Sequence, residues 1–193
     1  MNSNIIIVLF YGYLLGSIPF GLLITKFFLK KDVRDVGSGN IGATNVLRTG
    51  KKLLAALTLL LDVLKGYLSV YLTFQYYNDL VYIAALMCFI GHIFPIWLKF
   101  KGGKGVAAYL GIILGFSFTL GVIFVLTWLI ILFVFRFSSL SSIASSFIIF
   151  IYTFLLDDFV LSFYLFSTFV IILFTHKENI FRLKNKTENK IKF

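Results

Sequence analysis

The chain is written in long apolar runs parted by short polar ones, and the run lengths predict helices that cross a bilayer. The first run extends from Ile5 to Leu29, the second from about Leu53 to Phe74, and the third from about Leu80 to Leu98. Each is near the ~20 residues that a spanning helix needs. Tyr76, Tyr77, Asn78 and Asp79 make a tight polar turn between the second and third. Val106 to Phe135 carries no charge over roughly 30 residues, too long for one ordinary span and short for two. Gly115, Phe116 and Ser117 supply a weak break near its middle. Ser138 to Thr175 divides more clearly, at Asp157 and Asp158. The pattern predicts an all-α, polytopic membrane helix bundle of about seven transmembrane helices. A five- or six-helix version with a re-entrant segment is the alternative. Residues 1–193 show no internal repeat, low-complexity stretch or linker and are expected to form a single integral membrane domain.

Composition agrees with the pattern and charge orients it. The chain is 60% hydrophobic and 13% charged, with mean hydropathy +0.97, so a soluble domain of this make-up could not cover its surface. Met1 to Asn4 carry no lysine or arginine, whereas Lys26, Lys30, Lys31 and Arg34 close the first run and follow it. By the positive-inside rule the N-terminus is expected outside, uncleaved, and the following loop in the cytoplasm. One long helix over Val106 to Phe135 would strand Arg136 outside, and two shorter ones return it. With seven crossings the outer turns hold Asp79, Asp157 and Asp158. All 18 Lys and Arg then lie inside apart from Lys65, which falls within the second span, and the tail from His176 is cytoplasmic. The lone Cys88 excludes an intrachain disulfide, and with two histidines leaves too few soft ligands for structural zinc. No metal or other cofactor is expected.

Two cytoplasmic loops have unusual residue content. The first reads Gly37-Ser38-Gly39-Asn40-Ile41-Gly42-Ala43-Thr44-Asn45-Val46-Leu47-Arg48. Small residues admit a ligand close to the backbone, and successive exposed N–H groups form an anion-binding concavity. Ser38, Asn40, Thr44 and Asn45 add neutral donors, and Arg48 offers a planar fork suited to phosphate or carboxylate. An ordinary loop with a helix cap is the plainer reading. Gly37, Gly39 and Gly42 also spell the dinucleotide fingerprint GxGxxG. That match is rejected, because the loop joins two membrane helices and has no βαβ unit around it. The second loop reads Gly91-His92-Ile93-Phe94-Pro95, then Phe100-Lys101-Gly102-Gly103-Lys104-Gly105. Its glycines and lysines suit an anion held by point charges, and positive-inside anchoring by Lys99, Lys101 and Lys104 is the plainer account. It is no Walker A loop, since Gly105 follows Lys104. His92 and Pro95 read as shaping the end of the third helix.

A third cluster opens the tail, where His176, Asn179 and Leu183 share one helical face. A juxtamembrane basic segment touching anionic lipid accounts for Lys184 onward, and less well for His176 and Asn179, which add no membrane charge. Within the second span Asp62 and Lys65 lie three apart, which reads first as a structural ion pair and second as a catalytic one. Ser138, Ser139, Ser141 and Ser142 start the sixth span, where they cap the helix, ease packing, or line a polar pocket. Together the loops supply donors and cations for one or two phosphates above a bundle open to acyl chains. An anionic head group with a lipid tail is the natural ligand.

At these loops the chain resembles the bacterial acyl-phosphate-dependent glycerol-3-phosphate acyltransferases. The matching stretches are Gly16 to Gly21 (GSIPFG), Gly37 to Arg48, Asp62 with Lys65-Gly66, and Gly91 to Pro95. Phe100 to Ala107 (FKGGKGVA) and His176 with Asn179-Ile180 and Arg182-Leu183 complete the set. They run in family order from near residue 10 to Glu188. Lys177-Glu178 departs from the family pattern, and the serine run from Ser139 to Ser142 matches less sharply. The resemblance implies a seven-helix fold with the N-terminus outside, in the bacterial inner membrane, with the active face cytoplasmic. It also implies transfer of an acyl group from acyl phosphate to the sn-1 hydroxyl of glycerol 3-phosphate, giving lysophosphatidic acid and inorganic phosphate. By resemblance His176, Ser38, Arg48 and Asn179 are catalytic. Arg48, Lys104, Lys101, Gly39, Asn40, Asn45, Gly102, Gly103 and Ser142 bind substrate phosphate, and Asp62, Lys65, His92 and Glu188 support the site. Expected partners are the two substrates and membrane lipids, no nucleic acid, and, as a further candidate, the enzyme that supplies acyl phosphate.

Acyl phosphate is a mixed anhydride with a good leaving group, so direct attack by the glycerol hydroxyl needs neither an enzyme nucleophile nor a metal. The proton goes to a substrate phosphate oxygen or to His176. A histidine followed five positions later by aspartate, used by other acyltransferases with this acceptor, is absent: Trp97 follows His92 and Phe181 follows His176 at that distance. A small transporter or channel for an organic phosphate is the rival from another class, but its polar sites belong at the midplane rather than at the interface. A lipid-binding scaffold without chemistry is the third reading.

Overall fold

The computed structural model describes residues 3–191, and these contain helices and no strand. The chain divides after Phe116 into two compact units.

In the first unit, α1 (Ser3–Gly16) and α2 (Phe20–Leu29) are the two halves of the first apolar run. The run breaks at Ser17-Ile18-Pro19 because a residue before proline is pushed out of the helical region and proline has no N–H to donate. In an apolar medium the carbonyls freed by such a break need partners. Trp97 Nε1 donates to the Ser17 carbonyl at 2.6 Å and Lys65 Nζ to the Ile18 carbonyl at 2.8 Å. A short helix, α3 (Ala43–Leu47), precedes α4 (Lys52–Tyr76), α5 (Val81–Ile93) and α6 (Val106–Phe116). α1 packs on α5, and α4 on α6. Glycines make both contacts close. Gly16 lies against the Cys88 backbone and Gly91 against the Tyr13 carbonyl, while Gly66 meets the Ala108 carbonyl and Gly111 that of Val63. A Cβ at any of these would collide with backbone, which is the small-residue packing expected where lipid supplies no hydrophobic drive.

The second unit holds α7 (Phe118–Phe135), α8 (Ser138–Leu155), α9 (Phe159–Thr175) and α10 (Lys177–Lys184). The break expected near Gly115 to Ser117 falls at Ser117, whose hydroxyl accepts from Leu120 N–H and caps α7. Asp158 caps α9 by accepting from Leu161 N–H at 3.1 Å. α8 packs against both α7 and α9. Its buried Ser141, Ser145, Ser146 and Thr153 each donate to the carbonyl one turn back, so no hydroxyl of this polar face is left to lipid.

Five stretches are long and apolar enough to cross a bilayer: Ser3–Leu29, Lys52–Tyr76, Asn78–Leu98, Phe118–Phe135 and Ser138–Leu155. α9 with α10 gives a sixth if counted together, although the pair is bent by 64°. α6, with 11 residues, reaches only about 16 Å at 1.5 Å per residue. It is a helix where the pattern predicts one, but shorter than an ordinary span.

Candidate active site

The glycine loop is built on an apolar floor. Val33, Ile41 and Val46 from the loop cluster with Leu22 of α2 and Ala55 of α4, and Leu98 packs against the same cluster. Leu98 opens the lysine–glycine loop, so both loops of the first unit rest on one core. Burying each of these branched side chains is worth about 2 kcal/mol, which fixes the loops to the helices without recourse to lipid.

Asn45 organises the glycine loop from within. It is 2% exposed. Its amide Nδ2 donates to the carbonyls of Val33, Val36 and Asn40 at 2.9, 2.9 and 2.7 Å. Its Oδ1 accepts from Ser38 N–H at 3.0 Å, Ser38 Oγ at 3.3 Å and Arg48 Nη1 at 3.4 Å. One carboxamide oxygen therefore gathers Ser38 and Arg48, both exposed at the loop surface. Gly37 makes this approach feasible: its φ is +56°, and a Cβ there would stand 2.6 Å from Asn45 Oδ1 and 2.7 Å from Arg48 Cδ. At the loop's entrance Asp32 accepts from Arg34 Nε and Nη2 at 2.9 and 2.7 Å. The Arg34 guanidinium holds that carboxyl well below the usual carboxylate range.

The lysine–glycine loop folds back on the end of α5. Gly102 N–H donates to the Ile93 carbonyl and Gly103 N–H to the His92 carbonyl, each at 3.0 Å. A Cβ on Gly103 would run into the His92 ring, and one on Gly102 into the His92 carbonyl. Lys101 is exposed and Lys104 half-buried. The cluster beneath is buried: Asp62 Oδ1 lies 2.7 Å from Lys65 Nζ and 3.6 Å from His92 Nδ1.

In the second unit the tail turns back to α8. Glu188, 7% exposed at its side chain, accepts from Arg182 Nε at 2.7 Å. Its other oxygen takes Ser139 Oγ at 2.8 Å and Asn179 Nδ2 at 2.6 Å. Burial pushes the Glu188 carboxyl up, but the Arg182 bond, with those of Asn179 and Ser139, outweighs it and holds the group below its ordinary range. Ile191 N–H donates to the Arg136 carbonyl at 2.8 Å, which closes the tail. His176 is 3% exposed, with Nδ1 2.9 Å from the Ile172 carbonyl. A carbonyl only accepts, so Nδ1 carries the proton and the basic lone pair of the neutral ring is on Nε2.

Comparison with known proteins settles the family. The model of the glycerol-3-phosphate acyltransferase family matches residues 6–186. The chain belongs to this family. It is 52% identical over 188 residues to the glycerol-3-phosphate acyltransferase of Pelagibacter ubique, covering 97% of each chain. It is 47% identical to that of Mesorhizobium japonicum, over 99% of this chain and 98% of the relative. Two crystal structures of PlsY (YgiH), an integral membrane glycerol 3-phosphate acyltransferase, share the fold. The glycerol 3-phosphate form superposes with a TM-score of 0.93 at 34% identity, over 98% of this chain and 96% of that one. The lysophosphatidic acid form gives 0.90 at 33%. The chain is an integral membrane acyltransferase of all-helical build.

Within this acyltransferase the expected site residues sort by what their atoms do. Ser38 and Arg48 come together, as do Asn179 and Glu188. Several of the main-chain donors in the two loops are already engaged. Ser38 N–H goes to Asn45 Oδ1, Gly39 N–H to the Val36 carbonyl, Gly42 N–H to Asn40 Oδ1, and the Gly102 and Gly103 N–H groups to α5. Near a membrane such groups satisfy one another, and Gly39, Gly102 and Gly103 shape the loops. Asn45, likewise, has its amide turned inward. Ser142 is 3% exposed, donates to the Ser138 carbonyl at 2.9 Å and accepts from Trp128 Nε1 at 3.1 Å. Its hydroxyl is a packing group between α7 and α8. Sequence reasoning missed Ser139 and Arg182 as partners of Glu188. The spacing of Asn179 and Arg182 on one helical face was the available signal.

Proposed function

We propose that this acyltransferase moves an acyl group from acyl phosphate to the sn-1 hydroxyl of glycerol 3-phosphate, releasing lysophosphatidic acid and inorganic phosphate. The observation that carries the reading is the pairing of Ser38 and Arg48 on Asn45, in a chain sharing its fold with a protein solved with acceptor and with acylated product. Arg48, Lys101 and Lys104 take the phosphate charge. Ser38 orients the glycerol moiety. The hydroxyl attacks the acyl carbonyl, the C–O bond to phosphate breaks, and phosphate leaves with the electron pair. Charge that develops on the departing phosphate is met by cations already in place. The hydroxyl proton passes to a substrate phosphate oxygen or to Nε2 of His176. His176→Gln separates the two: a kcat loss of about 10²-fold or more assigns the base to His176. A raised KM with kcat little changed assigns it to the phosphate.

The reading extends to sidedness. Seven crossings put Asp79, Asp157 and Asp158 outside and the lysine-bearing loops in the cytoplasm, in the bacterial plasma membrane. The chain then works as one acyltransferase domain whose partners are the two substrates and bilayer lipid, with the enzyme that supplies acyl phosphate as a candidate further partner.

The deciding experiment is phosphate release by the purified protein in lipid, given acyl phosphate with and without glycerol 3-phosphate. Acceptor-dependent release with lysophosphatidic acid formed is the expected result. Acylation from acyl-CoA or acyl carrier protein, with acyl phosphate inert, overturns the donor. A trapped acyl-enzyme overturns direct attack.

A further inference from the structure

The reaction proposed above gives no task to three ionisable side chains buried in the first unit. Asp62, Lys65 and His92 are 1%, 2% and 4% exposed. Stability alone is a poor reason for them, because desolvating two charges offsets most of their attraction, and packed apolar side chains serve as well. Their contacts, however, run in a line through the unit. Lys65 Nζ holds the Ile18 carbonyl at the break between α1 and α2, and pairs with Asp62 Oδ1 at 2.7 Å. Asp62 Oδ1 faces His92 Nδ1 at 3.6 Å. The His92 ring lies directly under Gly103, and its carbonyl accepts the Gly103 N–H. At the other end α2 leaves the break and meets the glycine loop backbone, where a Cβ on Gly21 would collide with the Ile41 carbonyl. Each end of the line thus touches one of the loops that carry Arg48 and Lys104.

The apolar floor shared by these loops is non-directional and does not by itself fix how far apart they stand. The line adds one directional joint, the bond from Lys65 Nζ to the Ile18 carbonyl, and an ion pair at short range between Lys65 and Asp62. We propose that Asp62, Lys65 and His92 are positioning residues that set the spacing of the glycine loop from the lysine–glycine loop, so that Arg48 and Lys104 address one phosphomonoester substrate. This rests on the acyltransferase reading above, and assigns the cluster to substrate binding rather than to the chemical step.

The test uses the full chain in lipid and the charge-free variant Asp62→Leu/Lys65→Met, which leaves no unpaired buried ion. Its Tm is expected to fall modestly, because the Ile18 carbonyl loses its Lys65 partner, while the fold is kept. The KM for one phosphate-bearing substrate is expected to rise about ten- to a hundredfold, as misplaced binding groups produce, with kcat changing far less. A rise confined to glycerol 3-phosphate assigns its phosphate to the paired loops, and one confined to acyl phosphate assigns that substrate instead. Wild-type KM values for both substrates in a stable double variant overturn the proposal. If the double variant does not fold, Gly103→Ala disturbs the same joint from the loop side. Its KM effect should shrink when combined with His92→Ala, which vacates the ring, and additive effects overturn the proposal. Absence of turnover in the wild type overturns the acyltransferase reading separately. Positioning is then judged by calorimetric binding of glycerol 3-phosphate: equal affinity of wild type and double variant, or no binding by either, overturns it.

Discussion

Glu188→Ala tests whether the tail is held in place by one carboxylate. The group accepts from Ser139, Asn179 and Arg182, and its removal strands donors from three side chains. A hydrogen bond to a charged group contributes about 1.5–3 kcal/mol, and the buried Ser139 and Asn179 lose that much most directly. Arg182 is about one-third exposed and regains water, so its share falls towards about 1 kcal/mol. The total is at least about 4 kcal/mol, taken mainly from the docking of residues 185–191 and the start of α8. Glu188→Gln keeps an oxygen for Ser139 and Asn179 but turns an amide donor towards Arg182, and should cost about 1–2 kcal/mol.

Limited proteolysis of the tail in lipid reads this directly, because cleavage through local opening follows the open population. Each ~1.4 kcal/mol is tenfold, so Glu188→Ala should be cut about 10²–10³ times faster and Glu188→Gln about tenfold faster. Turnover should fall in the same order, since Asn179 loses its partner. The dependence on pH has a definite sign. The folded-state pKa of Glu188 is depressed, so its contribution is complete above the ordinary carboxylate range and is lost as pH falls through the folded value. Acid should therefore mimic the alanine variant. Wild-type protection and turnover in Glu188→Ala would refute the reasoning.

Three further predictions concern the loops and the topology. Asn45→Asp keeps shape and size but turns a carboxylate oxygen towards the carbonyls of Val33, Val36 and Asn40; we expect activity to be lost and Tm to fall by an amount corresponding to about 3 kcal/mol or more, measured by assay and melting. Gly37→Ala places a Cβ at positive φ against Asn45 and Arg48, and should cost at least about 1 kcal/mol of loop stability with a higher KM for a phosphate substrate; a neutral outcome would show that Arg48 acts from another position. Asp79→Cys should react with a membrane-impermeant maleimide from the outside and Lys184→Cys only after permeabilisation. The native Cys88 is buried and gives little background, and reversed labelling would invert the topology.

The helices could be read from the sequence because lipid imposes a length, and the run lengths carried it. The halving of Val106 to Phe135 was marked by Ser117, whose capping role is a local property. What the pattern concealed was the break at Ser17-Ile18-Pro19 inside an unbroken apolar run. Its cost is met by Trp97 and Lys65, residues 80 and 47 positions away, and no local pattern encodes such partners. The same reason hid the bond from Ser139 to Glu188, 49 positions apart. Asp62 and Lys65 were legible as an ion pair because one helical turn brings them together. His92 as its third member was not, since that depends on the α4–α5 packing.

The glycine loop shows how far the residue types of a loop and the atoms they present can differ. Glycines, serine and asparagines in a row suggest exposed N–H groups waiting for phosphate. In the structure the N–H groups of Ser38, Gly39 and Gly42 are engaged by Asn45 Oδ1, the Val36 carbonyl and Asn40 Oδ1. A loop at the membrane surface that left them open would need water or ligand at every moment to remain folded. Internal bonds instead hold this part of the loop in shape. Arg48 meets Asn45 Oδ1 through one nitrogen, and its remaining donors are not taken up by that contact. The glycine matters here by what it leaves out: at Gly37 the missing side chain is the space in which Arg48 and Asn45 meet.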